Sequence, residues 1–105
     1  MSTQLKKGTL EMCVLAILDH ADGYAYDIVS KLASGVEMSE GTIYPLMRRL
    51  QNDALVTTYL AESEQGPPRK YYRLTESGRK ELAKLKSGWW EFVEDVNKIL
   101  GDDYE

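Results

Sequence analysis

The C-terminal part of the chain carries a hydrophobic repeat that a domain of this size cannot bury by itself. Its apolar residues recur at spacings of 3, 4, 3, 4 and 3, the heptad pattern of a helix that packs along a narrow seam. The residues are Leu82, Leu85, Trp89, Phe92, Val96 and Ile99. A helix capped by Thr75 and ending near Leu100 would be about 39 Å long, which exceeds the width of a compact domain. Because an exposed apolar seam usually marks an interface, we expect this helix to pair two copies of the chain.

A short amphipathic helix is predicted over Ser39–Leu50. Its apolar residues recur at i, i+3, i+4 and i+7, so one stripe faces a core: Ile43, Leu46, Met47 and Leu50. The other side presents a hydroxyl, an aromatic ring and two arginines: Thr42, Tyr44, Arg48 and Arg49. Such side chains can read a DNA groove, although most surface helices carry polar residues for solubility alone. Pro45 fits the first turn if the regular helix begins near Thr42 and bends it if the helix begins at Ser39, and both remain open.

Two further helices precede this one. Residues 1–8 are polar and expected to be loosely held, and Thr9 can cap a helix that ends near His20. Residues 21–23 form a turn, in which Gly23 can adopt a positive φ. The second helix is predicted from about Tyr24 to Leu32. Tyr26 lies off its inward stripe, where the phenol could donate to a phosphate or simply be a half-buried edge residue.

After residue 53 the period of the sequence changes from helical to extended. Residues 55–62 and 69–74 are rich in β-branched and aromatic residues and predict a hairpin, and residues 63–68 are expected to interrupt the ladder. Arg69 and Lys70 at the base of this loop could bracket a phosphate backbone, or could merely discourage edge-to-edge aggregation. We predict a mostly α fold with a small β-hairpin. Residues 1–74 form a winged helix-turn-helix DNA-binding domain, and residues 75–105 form a dimerisation helix.

The charge of the chain is unevenly distributed. The formal net charge is −4, whereas DNA-binding domains are typically basic. Residues 42–73 contain five basic and three acidic side chains, but residues 75–105 contain five basic and eight acidic ones. The acidity is therefore concentrated away from the predicted reading helix, and the DNA-binding hypothesis survives the negative total.

Catalytic and metal-binding constellations are not evident in the sequence. Cys13 is the only cysteine and lies in an apolar run, which favours a buried structural thiol over a redox sensor. His20 is the only histidine, at the expected end of the first helix, where a cation suits the helix dipole. We expect no enzymatic activity, no cofactor and no metal. Since no run approaches the roughly 20 apolar residues of a membrane span and no secretory signal pattern is present, we expect a cytoplasmic protein without membrane contact.

Five motifs follow one another along the chain and together cover most of residues 8–100. They lie at residues 8–10, 23–28, 40–46, 48–50 and 69–78. Each motif alone is common, but the ordered set resembles the PadR family of bacterial transcriptional regulators. The resemblance implies a homodimeric repressor whose third helix enters successive major grooves of double-stranded DNA at a pseudo-palindromic operator. It assigns base reading to Thr42, Tyr44 and either Arg48 or Arg49, and phosphate contacts to Tyr26, Arg69 and Lys70.

The short C-terminus resembles the PadR subfamily that binds planar, often cationic small molecules at the dimer interface. In that subfamily a tryptophan on the last helix stacks on the ligand, and Trp89 matches it by position. Nearby carboxylates such as Glu91 or Asp95 could favour a cation. Gly88 departs from the pattern. Alternatively, Trp89 and Trp90 only fill the dimer core. Trp90 lies off the seam, and we favour packing of its side chain against the body of the domain.

Three functions follow from these observations. The first is a sequence-specific repressor that a small planar ligand releases from DNA. The second is a winged-helix module for protein–protein contact without specific DNA binding, which the acidic total charge suggests. The third is a small-molecule sensor or carrier with vestigial DNA binding.

Overall fold

Four helices and one small antiparallel sheet make up the part of the protein that the computed structural model describes, residues 3–36 and 38–101. The elements are α1 (Thr3–His20), β1 (Gly23–Tyr24), α2 (Ala25–Leu32), α3 (Glu40–Asn52), β2 (Val56–Ser63), β3 (Gly66–Leu74) and α4 (Glu76–Leu100). The sheet has the strand order β1-β3-β2, and we call its β2–β3 hairpin, residues 56–74, the wing. The predicted class, a mostly α winged helix with a long C-terminal helix, is confirmed.

The hydrophobic core lies where α1, α2 and α3 meet the sheet and the start of α4. Its fully buried side chains are Val14, Leu15, Ile28, Ile43, Met47 and Leu50. Fully burying one such side chain stabilises a fold by roughly 1.5–3 kcal/mol, so this cluster anchors the three helices. Leu46, predicted to be core, is only half-buried and packs against the cluster from outside.

The first helix is longer than predicted. It begins at Thr3 and continues through Gly8 and Thr9, so Thr9 is an interior residue and not the cap. The expectation that residues 1–8 are loosely held stays a prediction: residues 3–8 are helical, and residues 1–2 lie outside the described part. A single glycine costs about 1 kcal/mol relative to alanine in a helix interior.

Residues 23 and 24 form a strand that was not predicted. Gly23 lies opposite Tyr72 of β3, and Tyr24 lies opposite Tyr71. Gly23 does not adopt a positive φ; among the described residues outside glycine, only Ala54 does. The reason is tertiary, because the ladder to β3 keeps the backbone at residue 23 extended and starts α2 one residue later than expected.

The wing is longer than predicted because the prolines lie in β3. The register shifts by one residue between Ala61 and Ser63, where Pro67 and Pro68 lie on the opposite strand. Proline is tolerated in strands at bulges and free edges. Both conditions hold here, since β1 pairs with β3 only at residues 71–72. The predicted interruption over residues 63–68 is thus confirmed only in part: residues 64–65 form the turn and the register shifts opposite the prolines, but Ser63 pairs with Gly66 and β3 begins at Gly66.

The third helix contains Pro45 in its interior. The helix begins at Glu40, and Ser39 occupies the cap position without a side-chain cap bond. Its carbonyl accepts from the backbone N–H groups of both Thr42 and Ile43, each at 3.1 Å, which tightens the first turn. Of the two alternatives left open by the sequence, the earlier start is observed, and Pro45 costs the helix one backbone hydrogen bond.

The beginning of α4 is part of the core. The Thr75 side chain accepts a 2.9 Å hydrogen bond from the N–H of Gly78, as predicted for a cap. A Cβ at Gly78 would lie 2.2 Å from the carbonyl oxygen of Leu55, so only glycine fits this contact. Leu82 is only 4% exposed within its own protomer, and Leu85 packs against the core from outside. The prediction that Leu82 belongs to a dimer interface is therefore wrong.

The distal half of α4 extends away from the core. Phe92 is 59% exposed, Ile99 is 86% exposed and Leu100 is 67% exposed. Trp90 is 62% exposed, so its favoured packing against the body of the domain is not observed. None of the helices built by the described residues combines the length and apolar character needed to cross a membrane.

Candidate nucleic-acid interface

A cavity of about 410 Å³ opens where β1, the start of α2, α3 and β3 meet. We call it the basic cavity; its lining residues are Tyr24, Ala25, Tyr26, Tyr44, Arg69, Lys70 and Tyr72. Four of these are residues that the sequence assigned to DNA contact: Tyr26, Tyr44, Arg69 and Lys70. They come from three separate parts of the chain, and the fold brings them to one place.

The two cations of the basic cavity lie over aromatic rings. The guanidinium carbon of Arg69 is 4.6 Å from the ring centroid of Tyr24, and its Nη1 donates a 2.9 Å hydrogen bond to the Tyr24 hydroxyl. The Nζ of Lys70 is 5.6 Å from the ring centroid of Tyr72. Neither cation forms an ion pair with any residue in the described part of the chain. Both charges are therefore oriented by rings and still available to an external anion.

Two phenols add hydrogen-bond donors to this positive surface. Tyr26 and Tyr44 are both exposed, and the ring of Tyr26 stacks on that of Tyr24 with 6.2 Å between centroids. A phenol O–H can donate a hydrogen bond to a phosphate oxygen. Combined with Arg69 and Lys70, these groups have the chemistry of a site for a DNA backbone phosphate.

Arg48 lies on the same side of α3 as Tyr44. It is exposed, and no ion pair holds it within the described residues. Burial raises the pKa of Tyr72, and the positive charge of Arg48 partly opposes this rise. Its charge thus reaches the edge of the basic cavity, beside the exposed face of α3.

Thr42 and Arg49 face a different surface. Seven residues apart, they lie on one side of α3 and line a groove of about 890 Å³ bordered by α1 and α4. Arg49 donates to Glu11 of α1 and lies 3.7 Å from Asp53, and the Thr42 hydroxyl is 3.3 Å from that of Ser39. The structure therefore separates the two arginines, because Arg49 has ion-pair partners among the described residues and Arg48 has none there.

A row of three tyrosines crosses the exposed face of the sheet, and the sequence did not reveal it. Tyr24, Tyr71 and Tyr59 are cross-strand neighbours, with ring centroids 5.4 Å and 5.7 Å apart. We call these residues the tyrosine row. Strand alternation relates Tyr59 to Tyr71 once the hairpin register is known, but Tyr24 could not be placed without β1.

An acidic residue ends this row. Asp22 Oδ2 accepts hydrogen bonds from Tyr59 Oη at 2.7 Å and from Arg73 Nε at 3.1 Å. The hydrogen bond to Asp22 is the main reason that the pKa of Tyr59 is raised, and partial burial adds to it. Arg73 in turn lies over the Tyr59 ring, with 4.8 Å between its guanidinium carbon and the centroid.

A second, apolar cavity lies on the distal half of α4. We call it the α4 cavity; it measures about 260 Å³ and is lined by Trp89, Phe92, Val93, Val96 and Asn97. The rings of Trp89 and Phe92 are tilted by 42°, with centroids 6.5 Å apart. At Gly88 a Cβ would meet no other atom within 4 Å, so the packing of the protomer does not require a glycine there.

Comparison with known proteins agrees with this architecture. Residues 14–84 match the family model described as the Transcriptional regulator PadR-like family. The chain is 46% identical to a PadR-like transcription factor from Bacteroides fragilis, with 92% of this chain and 95% of that one covered and a TM-score of 0.78. It is 37% identical to a PadR-like transcriptional regulator from Bacillus cereus, with 96% and 100% covered and a TM-score of 0.86.

A third similar structure contains nucleic acid. It is PadR from Bacillus subtilis in complex with operator DNA, which is 26% identical to this chain and has a TM-score of 0.67. The match covers 73% of this chain and 45% of that one. With the family match, the high identities and the winged-helix architecture together, the chain belongs to the PadR-like family of transcriptional regulators.

Proposed function

We propose that this protein is a sequence-specific DNA-binding repressor that acts as a homodimer and is released by a small planar ligand. The observation that carries the DNA-binding part is the basic cavity, which gathers Tyr26, Tyr44, Arg69 and Lys70 beside the exposed Arg48. The complex of the Bacillus subtilis relative with operator DNA supports the same assignment.

Within this proposal the residues divide between two tasks. Tyr44 and Arg48 on the exposed side of α3 read base edges in the major groove, where arginine can donate two hydrogen bonds to guanine. Tyr26, Arg69 and Lys70 hold the flanking backbone phosphates and set the register of the helix in the groove. Thr42 and Arg49 contribute less to DNA binding, since both line the groove bordered by α1 and α4 and Arg49 is already paired with Glu11.

The homodimer is supported by the distal half of α4. Phe92 and Ile99 expose most of their surfaces, and Trp89 and Val96 are half-buried beside them. Pairing two such helices removes this apolar surface from water. A two-fold pair would present two copies of α3, and a separation of about 34 Å would match one turn of duplex DNA.

The ligand-binding part is supported by the α4 cavity. Trp89 and Phe92 offer aromatic faces, and two copies across a two-fold axis could enclose a planar molecule. Glu91 and Asp95 are exposed on the same helix, and Asp95 lies 3.9 Å from Lys98. These carboxylates favour a cationic ligand. A ligand that inserts between the two α4 helices changes the spacing of the two α3 helices and thereby weakens operator binding.

The DNA-binding proposal is tested by titrating duplex DNA from upstream of the protein's own coding sequence over a salt series. The protein should bind this DNA more tightly than random duplex by at least about 10³-fold. Arg48→Ala should weaken specific binding by roughly 10-fold or more, because one bidentate base contact is worth about 1–3 kcal/mol.

Two matched controls accompany this variant. Lys86→Ala removes an exposed cation from α4 and should change the affinity by less than about 2-fold, since it lies outside the proposed interface. Arg49→Ala should weaken binding less than Arg48→Ala does. Equal affinity of the protein for upstream and random duplex would overturn sequence-specific repression.

The protein–protein module without specific DNA binding is the alternative that the net charge of −4 supports. Reversal of both charges in the R48E/R49E variant separates the two functions. If regulation in the cell persists in this variant, the alternative is correct; if it is lost together with DNA binding, the repressor proposal holds.

A further inference from the structure

The strand β1 has little of its own to hold it in place. It contains two residues, and its ladder consists of the pairs Gly23–Tyr72 and Tyr24–Tyr71. Nevertheless it connects α1 to α2 and carries Tyr24, which lines the basic cavity two residues before Tyr26. The position of these two phenols therefore depends on the side-chain interactions that hold β1 against the wing.

Asp22, the residue directly before β1, makes such interactions. Its Oδ2 accepts from Tyr59 on β2 and from Arg73 on β3, so one carboxylate joins the start of β1 to both strands of the wing. Both bonds involve a charged group, and such bonds are shorter and stronger than neutral ones. The side chain of Asp22 is 30% exposed, whereas that of Arg73 is 58% exposed.

The tyrosine row links this carboxylate to the basic cavity. From Tyr59, which donates to Asp22, the rings continue through Tyr71 to Tyr24 and then stack on Tyr26. Arg69 covers the ring of Tyr24 and donates to its hydroxyl. One continuous network of side chains thus runs from Asp22 to the cation of the wing that faces the proposed phosphate site.

The outer part of the wing has no core of its own. Its buried residues are confined to the base, at Val56, Tyr72 and Leu74, and residues 59–71 are exposed or half-buried throughout. A hairpin held only at its base can tilt. We propose that Asp22 is a positioning residue that sets the angle of the wing, and with it Arg69 and Lys70, relative to Tyr26 and Tyr44 on the helices. This inference rests on the proposed DNA-binding function.

The inference separates the orientation of the wing from the stability of the fold. The Arg73 side of this ion pair is 58% exposed, and ion pairs at the surface add little to global stability. A phosphate contact, however, requires donor and acceptor within about 3 Å, so a small tilt of the wing removes it. Asp22→Ala should therefore leave the thermal midpoint nearly unchanged and weaken binding to the upstream duplex by about 5- to 10-fold. The plot of log K against log salt should also become less steep, its slope losing about 0.9 in magnitude for each lost phosphate contact.

A double-mutant cycle of Asp22 and Lys70 tests this role. Lys70→Ala should weaken DNA binding severalfold in the wild-type background. In the Asp22→Ala background the same substitution should cost less than 2-fold, because the wing contacts are already lost. A role of Asp22 in stability alone would leave the two effects multiplicative, and that result would overturn the inference.

Control variants keep the test decisive. Asp19→Ala breaks another exposed ion pair, the 3.6 Å contact with Arg79, and should change DNA affinity by less than 2-fold. Asp22→Glu keeps the charge and should recover part of the lost affinity. If Asp22→Ala does not fold, Tyr59→Phe and Arg73→Met each remove one donor and should each weaken binding by about 2- to 3-fold and reduce the effect of Lys70→Ala.

The outcomes distinguish this inference from the proposed function. If the wild-type protein prefers upstream duplex no more than random duplex, the proposed function fails. If the wild-type protein is specific and Lys70→Ala weakens it, but substitutions at Asp22 have no effect or act independently of Lys70, only the positioning role is refuted.

Discussion

The two halves of α4 continue the same hydrophobic repeat and have opposite environments. Leu82 in the first half is 4% exposed and completes the core of its own protomer, whereas Ile99 in the second half is 86% exposed. The difference arises because the hydrophobic core reaches only the first half of the helix, where Leu82 and Leu85 contact it. The long axis of the molecule measures 53 Å, and the second half of the helix extends beyond the core. A heptad repeat therefore does not by itself identify an interface, since its first members can be used inside the chain.

The largest effect should follow from truncating the buried half. Leu82→Ala should lower the free energy of unfolding by about 2–5 kcal/mol, because it removes buried methyl groups and leaves a cavity. Urea denaturation followed by circular dichroism measures the change. The matched variant Ile99→Ala should act only through association, so its effect should depend on protein concentration and that of Leu82→Ala should not. Equal, concentration-independent losses would contradict the distinction between the two halves.

Charges placed on the exposed half should break the dimer. The F92D/V96D variant should weaken dimerisation at least about 100-fold, because unpaired charges would be buried at the interface in both copies. Light scattering at micromolar concentration should show a dimer for the wild-type protein and a monomer for the variant, with helical content retained. Lys84→Asp, at an exposed position of the same helix off the seam, should remain dimeric. A monomeric wild-type protein would disprove dimerisation through α4.

The adjacent tryptophans offer a narrower comparison within the exposed half. Trp89 lines the α4 cavity, whereas Trp90 is 62% exposed and does not. Trp89→Ala should weaken binding of a planar cationic dye such as ethidium by roughly 10-fold, since an aromatic stack is worth about 0.5–1.5 kcal/mol in each of two copies. Trp90→Ala should change it by less than 2-fold. The anisotropy of the dye reports binding in both variants, and equal losses would refute a ligand site at Trp89.

The smallest effect concerns Gly88, between the two halves. Because a Cβ there would meet no atom of the protomer within 4 Å, Gly88→Ala should raise stability by about 0.5–1 kcal/mol through helix propensity. The thermal midpoint should rise by a few degrees. A lower midpoint would show that the partner's helix approaches residue 88 too closely for a methyl group.

Prediction from the sequence succeeded where local pattern and packing agree. The period of 3.6 residues located Ile43, Met47 and Leu50 in the core, and Thr75 caps α4 as its position suggested. It failed where a distant strand changed the local outcome. The local sequence at residues 23 and 24 predicts a turn and the start of a helix. These residues form a strand instead, because they pair with β3. Prolines that should end a strand are accommodated by a bulge at a free edge.

For the candidate site, the sequence supplied the residue types but not their grouping. Tyr26, Tyr44, Arg69 and Lys70 were proposed separately, and they line one cavity. The outward arc of α3 was too wide to distinguish Arg48 from Arg49. That distinction came from Glu11 on α1, which is 38 residues away in the chain and pairs with Arg49. The link from the Asp22 carboxylate to both strands of the wing was not predicted, because its partners Tyr59 and Arg73 lie on strands that only the folded sheet brings together.

The sequence by itself determined the number and order of the long elements, the stripes that face the core, and the membership of a regulator family. These properties depend on the spacing of apolar residues and on local motifs, which are encoded within a few turns or strand residues. Tertiary structure decided the extent of the sheet, the environment of each half of α4, and which cations find an ion-pair partner among the described residues. These properties depend on contacts between residues far apart in the chain, and the local spacing of apolar residues carries no information about such contacts.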